Sequence, residues 1–145
     1  MFKKKKFCVS LTTVPSRFKS VQKTLISIEK QTLKPDKIFL NIPKTFRRFE
    51  NHSFNINHLI NNFENLEITK CIDYGPGTKL LGSLEKILEY DYVVLIDDDH
   101  LYDKIMLKIF HDQFCKNKND AYSFCVYQIL DCQIGQGADG FLINT

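Results

Sequence analysis

Tyr92-Val93-Val94-Leu95-Ile96-Asp97-Asp98-Asp99 is the stretch on which the reading of the fold turns. Its apolar part is rich in β-branched residues and has no polar break, as expected of a strand buried on both faces of a parallel sheet. Three carboxylates stand where that strand ends. Carboxylates so placed repel one another and resist burial, and a bound divalent cation relieves both problems. Magnesium or manganese held by one or two carboxylates, with substrate phosphates completing the shell, is a common arrangement. The expectation is a metal and phosphate site at the carboxyl edge of an α/β sheet, where open sheets bind ligands. A solvated acidic turn between a strand and a helix is the other reading of the triplet.

Outward from this stretch, strand and helix patterns alternate. Phe7–Thr12 reads as a first strand. Pro15-Ser16 opens a helix with Phe18, Val21, Leu25 and Ile28 on one face. Pro35-Asp36 marks a turn before a second strand, Lys37–Ile42, which Pro43 ends. The polar, Asn-rich segment 44–65 reads as a loop with a short helix around Asn57–Phe63, and Leu66–Cys71 as a third strand. Gly75-Pro76-Gly77 is a turn, and Thr78 can cap a helix running to about Tyr90. Leu80, Leu81, Leu84, Ile87 and Leu88 are its expected core face. A helix at about Asp103–Lys116 carries Ile105, Met106, Ile109 and Phe110, and Ala121–Tyr127 reads as a fifth strand. The glycine-rich run 135–140 precedes an apolar end. Strands separated by helical patterns imply βαβ units and a mainly parallel sheet flanked by helices, a Rossmann-like α/β fold.

The 145 residues suffice for one domain with a real hydrophobic core, and one domain over residues 1–145 is expected. No apolar stretch approaches the ~20 residues needed to span a bilayer. The basic run Lys3–Lys6 before Phe7-Cys8-Val9 faintly mimics a leader, but the apolar part is short and interrupted by Ser10. Cys8, Cys71, Cys115, Cys125 and Cys132 are odd in number and form no CxxC pair. Reduced core thiols of a cytoplasmic protein account for Cys8, Cys71 and Cys125, which fall in apolar runs. Charge is uneven: residues 1–50 hold 13 Lys/Arg against 3 Asp/Glu, net +10, and residues 51–145 hold 7 against 14, net −7. A basic half attracts phosphates, nucleic acid or anionic headgroups, or is simply a solvated surface. Nucleic acid is disfavoured, since no arginine cluster or stacking aromatic motif accompanies the lysines.

Several chemistries lack their motifs. There is no Walker lysine loop, no GxGxxG after the first strand and no GxSxG elbow. The histidines, His52, His58, His100 and His111, lack metal-ligand spacing, although His100 follows the acidic triplet directly. A second cluster, Asp73-Tyr74-Gly75-Pro76-Gly77-Thr78-Lys79, joins the third strand to the next helix and so falls at the same sheet edge as the triplet. Its glycines allow close backbone approach, and a helix N-terminus favours anions. Lys79 could meet a diphosphate and Asp73 a ribose or base. A capped turn with a surface lysine is the plainer reading.

Three segments at the start of the chain carry a resemblance. They are Ser10-Leu11-Thr12-Thr13-Val14-Pro15-Ser16-Arg17-Phe18, then 24–32 ending in Gln31-Thr32, and Pro35-Asp36. In order and spacing they resemble the opening of the GT-A-fold, family 2-like glycosyltransferases. The 73–79 cluster and the aspartate triplet continue the resemblance, and the triplet matches the family's DXD motif. The resemblance implies a metal-dependent enzyme moving sugar from a UDP- or GDP-linked donor, with Mn2+ or Mg2+, to an acceptor hydroxyl. By the same resemblance Asp99 meets the metal and Asp97 the metal or donor ribose, while Asp98 points the other way or contacts the sugar. Thr12, Pro15 and Arg17 match the turn that lines the nucleotide pocket, and Asp73 and Lys79 match positions near base and diphosphate. Many relatives end the second strand with an acidic pair that reads the base. Asn41-Ile42-Pro43 stands there, and Asn41 could still hydrogen-bond a base.

Typical domains of this type are longer, so the chain is expected to be the donor-binding part, with the acceptor part short or missing. Inverting relatives need a carboxylate base after the DXD strand, and Asp139 in Gly137-Ala138-Asp139-Gly140-Phe141 is the candidate. A turn aspartate before a last strand is its other reading. The acceptor, whether glycan, lipid-linked or protein, is left open, and a peripheral membrane contact is compatible with the resemblance. Rivals are a nucleotidyltransferase, disfavoured by the glycine-free Thr12–Arg17 turn, and a phosphohydrolase, disfavoured by the lack of aspartate after the first strand. A nucleotide-sugar-binding module without transfer is a third.

Overall fold

The computed structural model describes residues 5–48, 62–130, 132–135, 137 and 139–145. Strand β1 (Phe7–Thr12) leads through a 3-10 turn (Pro15–Arg17) into helix α1 (Phe18–Glu29) and strand β2 (Lys37–Pro43). Strand β3 (Leu66–Cys71) leads through a second 3-10 turn (Gly75–Gly77) into two short helices, α2 (Thr78–Leu81) and α3 (Leu84–Ile87). Strand β4 (Tyr92–Leu95), helix α4 (Met106–Lys116) and four short strands follow: β5 (Tyr122–Ser123), β6 (Val126–Ile129), β7 (Cys132–Gly135) and β8 (Phe141–Asn144). The expected short helix around Asn57–Phe63 falls mostly outside the described residues, as do His52 and His58. No described helix is long and apolar enough to cross a membrane.

A six-stranded sheet runs in the order β3-β2-β1-β4-β8-β5, and β6 and β7 form a separate antiparallel pair. β3, β2, β1 and β4 are parallel, while β8 is antiparallel to both β4 and β5. The mainly parallel sheet flanked by helices is the expected architecture. Side-chain alternation explains why its central strands are mainly apolar on both faces, with Ser10 and Asn41 as buried polar exceptions. Val9, Leu11, Leu40, Ile42, Val94 and Ile96 face one layer, packed with Val21, Leu25 and Ile28 of α1 and Leu107, Phe110 and Phe114 of α4. Cys8, Phe39 and Val93 face the other, beneath Ile87 of α3 and Leu80 of α2. Tyr92 anchors the first layer: its ring lies 4.9 Å from Phe7 and 4.4 Å from Phe114, and its hydroxyl meets His111 Nδ1 at 2.8 Å.

The paired motifs near the chain start have local structural causes. Asp36 Oδ2 accepts from the Phe7 N–H at 2.9 Å, fixing the entry to β1. Gln31 is buried; its Nε2 donates to the Asp103 carbonyl at 2.6 Å and its Oε1 accepts from the Leu107 N–H at 3.0 Å. This residue therefore fastens the end of α1 to the start of α4.

Four expectations need correction. The helix expected over 78–90 is broken at Gly82-Ser83, and of its expected core face only Ile87 is buried, with Leu80 half-buried; Leu81, Leu84 and Leu88 are exposed. Two one-turn helices present too short an apolar row to bury all five side chains. Ile105 is likewise exposed, because Asp103 turns the chain before α4 through bonds from the Ile105 and Met106 N–H groups. The expected fifth strand splits: two residues pair with β8, and the chain then leaves for the hairpin. Of the expected core thiols only Cys8 is buried, which pushes it up to about 12; all five cysteines are free.

The break at Gly82 is a packing requirement. A Cβ there would lie 2.7 Å from Asn41 Cβ, closer than side chains pack. Gly82→Ala is expected to cost about 1–3 kcal/mol through overpacking, read as a lower urea midpoint. An unchanged midpoint would show that α2 can lift from β2 freely.

Candidate functional site

Three turns and a strand end meet at the carboxyl edge of the parallel strands, around a cavity of about 560 Å3. The turn after β1 contributes Thr12, Thr13 and Arg17, and the loop after β2 contributes Phe46, Arg47 and Arg48. The turn after β3 contributes Asp73, Tyr74, Thr78 and Lys79, and the end of β4 contributes Asp97 and Asp98. The right-handed crossovers of a parallel sheet bring these segments to one edge although they are distant in sequence.

The three aspartates have three different environments. Asp98 is buried; Thr13 Oγ1 donates to its Oδ2 at 2.6 Å and Arg17 Nη1 to its Oδ1 at 3.1 Å. The same Arg17 nitrogen lies 3.1 Å from Asp99 Oδ2, and Asp98 first, then Asp99, hold this guanidinium above its ordinary pKa. Asp97 turns toward the opposite wall and pairs with Lys79 Nζ. Its own N–H donates to the Tyr102 hydroxyl at 2.9 Å, and burial raises the Tyr102 pKa. Thr24 of α1 donates to the Asp98 and His100 carbonyls at 3.0 and 2.8 Å, so the strand end cannot drift from the helix.

Lys79 is placed from below by a buried polar group. Ser10 Oγ donates to the Lys79 carbonyl at 2.5 Å, and Asn41 Nδ2 donates to Ser10 Oγ at 2.9 Å. Asn41 is thus fully buried and supports the turn; it does not line the cavity. Pro15 opens its 3-10 turn and is also off the wall. Asp73 accepts from the Arg47 and Gly75 N–H groups, each at 2.8 Å, and these bonds, Arg47 first, hold its carboxyl below the usual carboxylate range. The turn closes as Thr78 Oγ1 accepts from the Tyr74 N–H at 2.9 Å.

Asp139 lies apart from this cavity. It lines a second one, of about 400 Å3, and its Oδ1 is 3.4 Å from His100 Nε2. The Asp139 carboxylate also pushes the Cys125 thiol up. Gly137 stays close to the first cavity: a Cβ there would stand 3.9 Å from Lys79 Nζ.

Thr12, Arg17, Asp73, Lys79, Asp97 and Asp98 are therefore gathered on one wall system, and Asp99 joins them through Arg17. Sequence reasoning missed Thr13, Arg47, Arg48 and Tyr74. The excess of cations in residues 1–50 was the available signal for the two arginines, but only the loop after β2 shows that they turn back over the site. Among the described residues no group of three or more His, Cys, Asp or Glu side chains is gathered around one point. Asp97 and Asp99 are part-exposed hard oxygen donors, each paired with one cation. This donor set fits a divalent ion only if a bound anion supplies the remaining ligands, as phosphate does for magnesium.

The fold is that of glycosyltransferases of the GT-A type. The crystal structure of TarS residues 1–349 from S. aureus superposes with a TM-score of 0.60 at 20% identity, over 90% of this chain and 38% of that one. TarS in complex with UDP-GlcNAc gives 0.61 at 20% identity, and in complex with UDP 0.59 at 19%. This chain thus spans 38% of the TarS chain it matches. No protein-family model and no curated protein matches the sequence.

Two outcomes follow from the carboxylate geometry. Asp98→Ala leaves the buried Thr13 hydroxyl without its acceptor and Arg17 with Asp99 alone, and is expected to lower stability by about 1–3 kcal/mol, whereas Asp97→Ala and Asp99→Ala, at more exposed positions, stay within about 1 kcal/mol; chemical denaturation of the three variants gives the ranking. Asp73 has a lowered pKa, so its tie between loops is complete above the ordinary 3.8 and is lost as pH falls through the lowered value. In an NMR titration the Arg47 and Gly75 amide signals should move together with a midpoint below 3.8, and Asp73→Asn should abolish that transition.

Proposed function

We propose that the larger cavity binds the nucleoside diphosphate of a nucleotide-sugar donor and that the protein transfers the sugar to an acceptor hydroxyl. The observation that carries this reading is the convergence of Arg17, Arg47, Arg48 and Lys79 with Asp97 and Asp98 on one cavity at the carboxyl edge, Asp99 reaching it through Arg17. Four cations match a diphosphate, and the carboxylates suit a cation-bridged one. The neighbouring TarS structures hold UDP and UDP-GlcNAc, which favours a uridine donor. Tyr74, exposed at the cavity, offers a face for the base.

In this reading Lys79 gives up Asp97, and Arg17 gives up Asp99, for phosphate oxygens when donor binds. Asp97 and Asp99 are then the residues that would hold Mn2+ or Mg2+, which when bound offsets charge on the departing diphosphate. Asp98 keeps its bonds and positions Arg17. Asp139 accepts the proton of the acceptor hydroxyl as the new bond forms at the anomeric carbon. The bond to phosphate breaks on the opposite face, with its electron pair leaving on the diphosphate and inversion at carbon. Lys79 and Arg17 stabilise that leaving charge.

Thermal-shift measurements with UDP, GDP and CDP, each with and without Mn2+, check the donor site. One nucleotide, expected to be UDP, should stabilise the protein in the presence of Mn2+ by about 2.7 kcal/mol at a hundredfold excess over Kd. Asp97→Asn and Asp99→Asn should remove the Mn2+-dependent part, and Lys79→Ala should weaken nucleotide binding about tenfold, the loss of one charge-assisted contact. A folded protein that no nucleotide stabilises with Mn2+ would refute the reading.

A further inference from the structure

The second cavity differs from the first in chemistry. Its wall is mostly apolar, from Leu101, Ile105, Met106, Ile109 and Phe124, and its polar groups include Asp103 and the pair Asp139 and His100. Leu101, Ile105 and Phe124 leave 68%, 45% and 47% of their surface open. Apolar side chains held open around one concavity, with a few polar groups at one end, are the usual form of a site for an organic ligand. The wall is firm: Phe124 packs edge-on to the buried Phe110, with centroids 4.8 Å apart.

A hydrogen bond links the walls of the two cavities. Tyr102 lines the second, and its hydroxyl takes the N–H of Asp97, which lines the first. The His100 ring packs on Tyr102 at 5.1 Å and reaches Asp139. A ligand with its apolar body on Ile105, Ile109 and Phe124 therefore presents its polar end to Asp139, beside the donor cavity. A polar glycan laid along Leu101, Ile105, Ile109 and Phe124 would lose water from its hydroxyls against side chains that return no hydrogen bonds.

We propose that the acceptor is amphiphilic, with an apolar group, alkyl or aromatic, adjoining the polar end that carries the accepting hydroxyl. This rests on the transfer reading above and names its acceptor class. The probes are octyl, phenyl and methyl β-D-glucoside, titrated calorimetrically below the micellar range, with UDP and Mn2+ stabilisation measured on the same preparation. Octyl or phenyl glucoside should bind at least about tenfold more tightly than methyl glucoside, as burial of a few carbons requires; which of the two wins separates alkyl from aromatic. Ile105→Ser and Phe124→Ser, both at part-exposed positions, should erase that preference while circular dichroism reports an intact fold. Equal affinities for the three probes would overturn the proposal, as would a preference that survives both substitutions. Self-association that vanishes with them, without glucoside preference, would assign the groove to a second copy instead. Nucleotide stabilisation without glucoside preference defeats this proposal alone; loss of nucleotide stabilisation defeats the donor reading.

Discussion

The buried Asp98 carboxylate is the constraint on which the site depends. A carboxylate removed from water must be compensated in place, and Thr13 and Arg17 do so from the turn after β1. That requirement joins two turns more than 80 positions apart in the chain. Thr24 then ties the backbone on either side of Asp99 to α1, and Gln31 ties the far end of α1 to α4. The loop from residue 97 to 106 is consequently held at several points, which fixes where Asp97 and Asp99 point. Removing the central acid would loosen the edge of the sheet rather than delete a single contact.

The opposite wall is built on a different principle. Ser10, Asn41 and Ser83 form a small polar cluster between sheet and helix, and Gly82 lets the helix sit directly on Asn41. The glycine shortens α2, which costs local helix stability. In exchange the Lys79 carbonyl is seated on β1, and its ammonium group lands against Asp97. Both walls thus present a cation already matched to an acid. Paired in this way, Lys79 and Arg17 are offset by their acids when the cavity is empty and are offered to an anion by exchange of partners.

The division between the two cavities follows from topology. Parallel strands deliver polar turns to the carboxyl edge, where the 560 Å3 cavity lies. The antiparallel β8, inserted between β4 and β5, is instead entered past Asp139 and Gly140; Gly140 has a φ of +97°, and a side chain there would also strike the Phe110 ring. An acid placed beside an apolar groove is the result. The polar and apolar halves meet at Tyr102.

Sequence pattern alone determined the class of the fold. β1 lies where its run puts it, because a strand buried on both faces has few polar positions to blur its limits, and β3, at the sheet edge, lies where its β-branched alternation puts it. The acidic triplet and the 73–79 turn were also legible as neighbours, since successive parallel strands must end at one edge. Tertiary structure alone decided which triplet member is buried, because that depends on Thr13 and Arg17 meeting it from another turn. It also decided that Asn41 is a support, that Arg47 and Arg48 face the cavity, and that Leu81, Leu84 and Leu88 stay exposed. Helical spacing marks which residues share a face; it does not say whether a helix is long enough, or close enough to the sheet, for that face to be covered. Burial at these positions is a property of distant segments brought together, and periodicity within one segment carries no record of them.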